Sequence, residues 1–251
     1  MNVSIIIPTF NSENTIQTNI DSIINQTFKD FEVIVVDNNS TDKTIEIIKN
    51  KNIPNIKFLV EKDNGIFDAI NKGIKLSNNQ IISVLHSDDV YFDKNVLQNV
   101  INSFRENLNN DIIYGDLIYV RKNNLNSILR YWKPGEYFKN SFYKGWHPPH
   151  PSFFAKKILF EKYGYYNLVN GNSSDVELMF RFLEINKVES KYINKILVKM
   201  RYGGASNKNI FSIIKQNIQI LRFLKINKKI YKISTFFLYK FLNRLKQFVI
   251  K

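Results

Sequence analysis

The sequence predicts an α/β protein with a Rossmann-like mixed sheet flanked by helices, and three observations carry that expectation. Short β-branched runs alternate with helical periodicities over the first 115 residues, as in doubly wound units. Three of those runs end in polar, carboxylate-bearing segments, the pattern of a sheet that binds its ligand beyond the carboxyl ends of its strands. The 251 residues, 44% hydrophobic and 14% aromatic, suffice for one substantial core and exclude a disordered chain.

Taken in order, Val3 to Thr9 and Phe31 to Asp37 are apolar runs of strand length. Between them Ile16, Ile20, Ile23 and Ile24 recur at helical spacing behind the capping-type residues Asn11 and Ser12. A second helix is expected from Thr41 or Asp42 to about Asn50, then a strand over Ile56 to Val60, a loop from Glu61 to Gly65 and a third helix over Ile66 to Leu76. Ile81 to Leu85 reads as a buried strand that runs into His86-Ser87-Asp88-Asp89, and Val96, Leu97, Val100, Ile101 and Phe104 mark the next helix. Short strands are expected over Asp111 to Trp132, followed by a loop from Tyr143 to Pro151 that gathers His147 and His150 among three prolines. A helix from about Ser174 to Asn186, strands near Val188 to Ile193 and Ile196 to Met200, and a Gly203-Gly204 turn come next. Two helices, about Asn209 to Ile226 and Lys229 to Val249, close the sequence.

The charge is uneven. Of the 36 Lys and Arg, 15 lie between Ser190 and Lys251, where no Asp or Glu occurs, so the formal charge of +14 resides in the C-terminal quarter. The absence of cysteine removes disulfides, thiolate metal sites and thiol nucleophiles, and fits a reducing compartment. Met1 to Phe10 reads as a strand rather than an export signal, and no stretch approaches the roughly 20 apolar residues of a membrane span. A cytoplasmic location is therefore expected.

Three polar segments are expected on one rim of the sheet: Pro8-Thr9-Phe10-Asn11, Asp37-Asn38-Asn39-Ser40-Thr41-Asp42 and His86-Ser87-Asp88-Asp89. Adjacent carboxylates at such a rim offer hard oxygen ligands to a divalent cation, although the same pair also suits a turn or a helix N-cap. With Val3-Ser4-Ile5-Ile6-Ile7 ahead of the first segment, Asp63-Asn64-Gly65-Ile66-Phe67-Asp68-Ala69-Ile70-Asn71-Lys72-Gly73, and Ser174-Asp175-Val176-Glu177-Leu178, the chain resembles the family 2 glycosyltransferases over about residues 2–205. These are inverting enzymes with the nucleotide-diphospho-sugar transferase fold known as GT-A.

The resemblance implies a catalytic domain over 1–205, with a nucleotide-sugar-binding half at 1–115 and an acceptor and catalytic half at 116–205, and a basic amphipathic helical extension at 206–251. It implies a UDP- or dTDP-sugar donor and a Mn²⁺ or Mg²⁺ ion that acts as Lewis acid on the leaving diphosphate. Asp89 is expected as the direct metal ligand, with Asp88 on the donor ribose or a metal-bound water. Asp37 is expected to accept the imide N–H of a uracil or thymine, with an N-cap as its alternative, while Asp42 reads as a cap. Pro8 and Thr9 would pack against the base and Asp63 would reach base or ribose.

Inversion requires a base opposite the leaving group; Asp175 is the candidate, Glu177 its backup, and an N-cap the alternative reading. His150 and, second, His147 are expected to bind phosphate or acceptor, and Arg201 and Tyr202 to belong to a flap over the donor. Processive members carry a Gln-x-x-Arg-Trp signature and membrane spans; neither occurs here, which implies one sugar per acceptor encounter. The expected acceptor is a glycan or lipid-linked sugar of surface polysaccharide synthesis.

In the tail, Ile210, Ile213, Ile214, Ile220, Leu221 and Leu224, then Ile230, Ile233, Phe237, Phe241, Leu245 and Phe248, form apolar stripes among lysines and arginines. Such stripes suit peripheral contact with an anionic membrane at its cytoplasmic face, or packing on the catalytic domain or a second copy; oligomeric state is left open. Sugar-1-phosphate nucleotidyl transfer would need a Gly-rich basic loop after the first strand, and Thr9-Phe10-Asn11-Ser12-Glu13 is not one. Two further alternatives are an inactive sugar-nucleotide-binding homologue and nucleic-acid binding through the tail. The second is not expected, since the tail's aromatics fall on its apolar stripe.

Overall fold

A computed structural model describes residues 1–203, 210–227 and 233–249. Four parallel strands make its first half: β1 (Val3–Thr9), β2 (Phe31–Asp37), β3 (Ile56–Val60) and β4 (Ile81–Val84), in the order β3-β2-β1-β4. β1 and β2 are buried at every position, which is why both read as unbroken β-branched runs rather than alternating ones. Helices α1 (Ile16–Ile24) and α2 (Thr44–Lys49) pack on one face, where Val3, Ile5 and Ile7 point, and α3 (Ile66–Leu76) packs on the other, against Ile6, Ile34 and Val36.

Past β4 the sheet turns antiparallel. β8 (Phe153–Lys156) pairs with β4 and with β6 (Ile112–Arg121), β9 (Ser190–Arg201) runs parallel to β6, and β5 (Val90–Tyr91) closes the edge. β7 (Asn124–Trp132) forms a hairpin on β6. The expected mixed sheet flanked by helices is therefore present, with three differences of detail. The middle section holds two long strands rather than several short ones. The two strands expected over 188–200 are one, whose register shifts where Gly115 and Asp116 face Ile193 and Ile196, an irregularity that the polar Asn194-Lys195 pair signals as a break. β5, β8 and α5 (Lys157–Tyr163) were not expected, because two- and four-residue elements carry too little periodicity to read.

α4 (Val96–Glu106) covers the first face, while α6 (Ser174–Phe180), continued by a π turn over Arg181–Ile185, covers the second. The tail folds back on this second face. α7 (Ile210–Asn227) lies on α6 and on the 3-10 turn Leu168–Ser173, and α8 (Ile233–Val249) lies on β7 and the turn Ser141–Lys144. Ile220, Phe223, Leu224 and Phe236 join the same hydrophobic cluster as Val84, Tyr114 and Phe180. The α7 stripe thus packs on the sheet-and-helix body through Ile220 and Leu224, whereas Ile233, Phe237, Phe241, Leu245 and Phe248 of the α8 stripe stay exposed. The side chains of the stripe residues Ile210 and Ile213, together with Ile230, the turn residue Gly204 and the boundary expected at 205, lie outside what the structure describes. Among the described residues no helix is long and apolar enough to cross a membrane.

α3 approaches β1 closely because residue 73 is glycine: a Cβ there would stand 2.5 Å from a methyl of buried Ile6 and 3.3 Å from Val36. Both neighbours are β-branched and cannot swing aside. Gly73→Ala is expected to lower the unfolding free energy by about 1–3 kcal/mol, read by urea denaturation; an unchanged midpoint would mean that the helix lifts off the sheet at no cost.

Candidate active site

The carboxyl ends of β1, β2 and β4 open on one rim, and their loops are tied together. Asn11 N–H donates to the Ser40 hydroxyl at 2.9 Å and its side-chain oxygen accepts from Thr41 N–H at 2.9 Å. Ser12 N–H donates to Thr44 at 2.7 Å, and the Ser12 and Ser87 hydroxyls share a hydrogen bond of 2.8 Å. A cleft of about 1110 Å³ extends from this rim across β7 to α8, ample for a nucleotide-sized ligand together with a second substrate. A smaller cavity of about 480 Å³ near Met1, Gln80 and Lys157 lies at the opposite end of the strands and contains no carboxylate or histidine.

Pro8, Thr9, Asp63, Asp88, His147, His150 and Asp175 line the large cleft. Asp37 does not. Its carboxylate is fully buried and accepts from Ser40 N–H at 2.7 Å and the Ser40 hydroxyl at 2.5 Å, so it caps the turn at the end of β2. Asp42 is a cap as well, accepting from Thr44 N–H and Glu13 N–H at 3.0 Å each. Asp63 reaches the cleft while its Oδ1 accepts from Gly65 N–H at 2.8 Å, which sets the start of α3.

The acidic pair divides. Asp88 faces the cleft, whereas Asp89 turns inward, is 1% exposed, and neither of its carboxylate oxygens finds a well-formed hydrogen bond among the described residues. Burial, and then the charge of Asp88, raise the Asp89 pKa well above the usual carboxylate range; the Arg201 backbone and guanidinium only partly offset this. Of the two, only Asp88 lines the cleft, while both carboxylate oxygens of Asp89 are left without a partner among the described residues. The turn is held from below by buried Asn19 of α1, whose amide donates to the carbonyls of His86 and Asp89 at 2.8 Å each. From the side, Arg201 donates to the Asp88 carbonyl, to Thr18 at 2.8 Å and to the Lys122 carbonyl at 3.0 Å. Arg201 thus positions the turn instead of riding on a flap, while Tyr202 is exposed.

His86 was not expected among the site residues. Its ring stands edge-on to His150 at 5.6 Å, and its Nε2 is buried without a hydrogen-bond partner among the described residues. Burial depresses its pKa, against the pull of Asp88. The only sequence signal was its place directly after a strand. His150 Nε2 shares a 2.8 Å hydrogen bond with the Tyr166 hydroxyl, and His147 Nδ1 meets the Pro148 carbonyl at 3.0 Å. Burial takes the pKa of both down to about 3, so at neutral pH they are uncharged N–H donors or lone-pair donors, not cations.

Asp175 sits in the first turn of α6, half-buried, with its Oδ1 accepting from Val176 N–H at 2.8 Å. Burial pushes its pKa up to about 6; that N–H and the Lys240 ammonium of α8 oppose the shift. Glu177 is no substitute, because both its oxygens are held by Arg181 at 2.9 and 3.0 Å and that guanidinium also grips the carbonyls of Tyr163, Gly164 and Tyr165. α8 adds Phe237, Lys240 and Arg244 to the cleft wall, and no periodicity in the tail could have revealed this.

Residues 4–164 match the family described as glycosyl transferase family 2. The chain is 30% identical over 209 residues to a "PGL/p-HBAD biosynthesis glycosyltransferase" of Mycobacterium tuberculosis, covering 81% of this chain and 78% of that one. It is 31% identical over 217 residues to an uncharacterized glycosyltransferase of Rickettsia typhi, covering 82% and 66%. Among solved structures, S. aureus TarS 1–349 in complex with UDP-GlcNAc superposes with a TM-score of 0.67 at 20% identity, covering 88% and 67%. In a longer TarS structure the match spans 40% of that chain. Mannosyltransferase PcManGT from Pyrobaculum calidifontis, in complex with GDP-Man and Mn²⁺, superposes with a TM-score of 0.66 at 15% identity, covering 96% and 68%. These two likenesses are of fold.

Arg201→Ala strips the charge-assisted bonds from the acidic turn, and is expected to cost about 3 kcal/mol of stability. Denaturant titration checks this, and a loss below about 1 kcal/mol would make Arg201 an ordinary surface cation.

Proposed function

The chain belongs to glycosyl transferase family 2 and is a glycosyltransferase, and we propose that it transfers a single sugar, with inversion, from a UDP-sugar to an acceptor hydroxyl. The observation that carries this reading is one half-buried carboxylate of raised pKa, Asp175, lining the same cleft as Asp88 and His86. TarS, crystallised with UDP and with UDP-GlcNAc, lends support to the donor class.

Asp175 takes the proton of the acceptor hydroxyl as its oxygen attacks the anomeric carbon. The bond from that carbon to the β-phosphate oxygen breaks on the opposite face, and UDP leaves with the electron pair. A pKa of about 6 leaves Asp175 ionised at neutral pH yet basic enough to accept that proton. The neutral rings of His147 and His150 can donate hydrogen bonds to phosphate or acceptor oxygens without the cost of burying a second charge. Pro8, Thr9 and Asp63 hold the nucleoside, while Asp37 acts through the Ser40 turn it caps.

PcManGT in complex with Mn²⁺ supports a divalent ion. Among the described residues no three metal-ligating side chains converge, a donor set that suits an ion completed by the donor's phosphates, and the unpartnered His86 Nε2 beside Asp88 fits it. Asp88 and the unpartnered Asp89, with His86 beside them, would hold the ion, which when bound stabilises the charge developing on the diphosphate. The acceptor is a glycan or lipid-linked sugar. The basic tail and the exposed Leu238, Phe241, Leu242, Leu245 and Phe248 of α8 support peripheral contact with an anionic membrane at its cytoplasmic face.

Two measurements test this reading. In calorimetry with Mn²⁺, Asp88→Ala is expected to weaken UDP binding at least about tenfold, and metal-independent binding by wild type and variant alike would remove the metal role. Asp175→Asn is expected to lower kcat/KM by about 10² to 10⁴ with UDP affinity intact. The wild-type rate should fall about tenfold per pH unit below about 6, as the base protonates. Because the folded pKa lies above the unfolded one, the Asp175 side chain adds stability only at acid pH and loses it as pH rises through about 6. Asp175→Asn should therefore be the more stable protein at pH 8, by roughly 1–2 kcal/mol, and not at pH 4. A fully active Asn variant would overturn the assignment.

A further inference from the structure

The cleft wall that holds Asp175 also carries cations. Arg130 of β7 and Lys240 and Arg244 of α8 all line it, and none takes part in an ion pair among the described residues. Their mutual repulsion registers in the lowered pKa values of Arg130 and Lys240, each depressed by burial first and each also by Arg244. Arg130 lies on the Tyr119 ring at 3.9 Å and within 6.0 Å of Phe248, and its buried Nε has no hydrogen-bond partner among the described residues. Lys240 is aimed by Asn217, which accepts from its ammonium at 2.6 Å, and the Lys240 charge is felt at both His147 and Asp175. Three neighbouring cations, one of them with an unpartnered donor and only Lys240 near a carboxylate, repel one another unless an anion sits among them.

We propose that Arg130, Lys240 and Arg244 form an anion subsite, separate from that of the donor diphosphate, which holds a phosphate group carried by the acceptor. This rests on the reading of Asp175 as the base: whichever molecule gives up its hydroxyl proton there lies beside Lys240, whereas the donor diphosphate lies at Asp88. The exposed Phe241, Leu245 and Phe248 of the same helix continue the subsite with an apolar surface, as a phosphate on a lipid chain requires. A phosphate on a soluble glycan has the same headgroup chemistry and no use for that surface.

The full-length protein, saturated with UDP and Mg²⁺, is titrated in a calorimeter with geranyl phosphate, geraniol and inorganic phosphate. Geranyl phosphate is expected to bind, and geraniol about tenfold or more weaker. Inorganic phosphate as tight as geranyl phosphate identifies a phosphorylated soluble acceptor, and weaker inorganic phosphate a lipid-borne one; either supports the subsite. Arg244→Gln, at an exposed position that does not threaten folding, and Lys240→Gln should each weaken geranyl phosphate about tenfold and leave UDP affinity unchanged. Three results overturn the proposal: geraniol binding as well as its phosphate, geranyl phosphate displacing UDP, or the two substitutions weakening UDP in step. UDP failing to bind while geranyl phosphate binds normally would instead overturn the donor reading and leave the subsite standing.

Discussion

Two adjacent carboxylates at the end of β4 repel each other, and the rest of the cleft is arranged around a turn that nevertheless keeps them there. Asn19 pulls the carbonyls of His86 and Asp89 down onto α1, and Arg201 reaches from the end of β9 to the Asp88 carbonyl. Those bonds run to the backbone, so they fix the turn without neutralising the Asp88 side chain, which stays directed at the cleft. Because Arg201 terminates the strand that runs beside β6, the same contact couples the parallel and antiparallel parts of the sheet. The strand-end rim and the opposite cleft wall are thereby held in one frame.

Within that frame the ionisable groups are tuned by burial more than by pairing. His147 and His150 are kept uncharged, and Asp175 is made a stronger base than a solvated aspartate. The carboxylates that resemble it locally are all engaged elsewhere: Glu177 by Arg181, Asp37 and Asp42 as caps. Asp175 has only the Val176 N–H as a hydrogen-bond partner among the described residues, which leaves an oxygen available to a substrate.

The C-terminal helices divide two tasks. α7 and Phe236 complete the second hydrophobic layer, so the tail contributes to the core rather than hanging from it. The rest of α8 keeps its aromatics in solvent and turns Lys240 and Arg244 into the cleft. The positive charge that looks diffuse along the sequence becomes, in part, a wall beside Asp175.

The sequence by itself determined the strand and helix order of the first half, the rim on which the polar segments meet, and the candidacy of Asp88 and Asp175. Period-two and period-3.6 patterns and residue chemistry are local properties and survive in one dimension. Which of Asp88 and Asp89 faces the cleft was not legible, because inside a turn no periodicity assigns sides; contacts from Asn19 and Arg201, 70 and 113 residues distant from their partners in the chain, decided it. Phe236 rather than Phe237 or Phe241 is buried because α8 carries apolar residues around most of its circumference, and only the neighbouring surface selects among them. The joining of Arg130, Lys240 and Arg244 to the neighbourhood of Asp175 was likewise settled in three dimensions alone, since no local pattern records which distant segment a helix will cover.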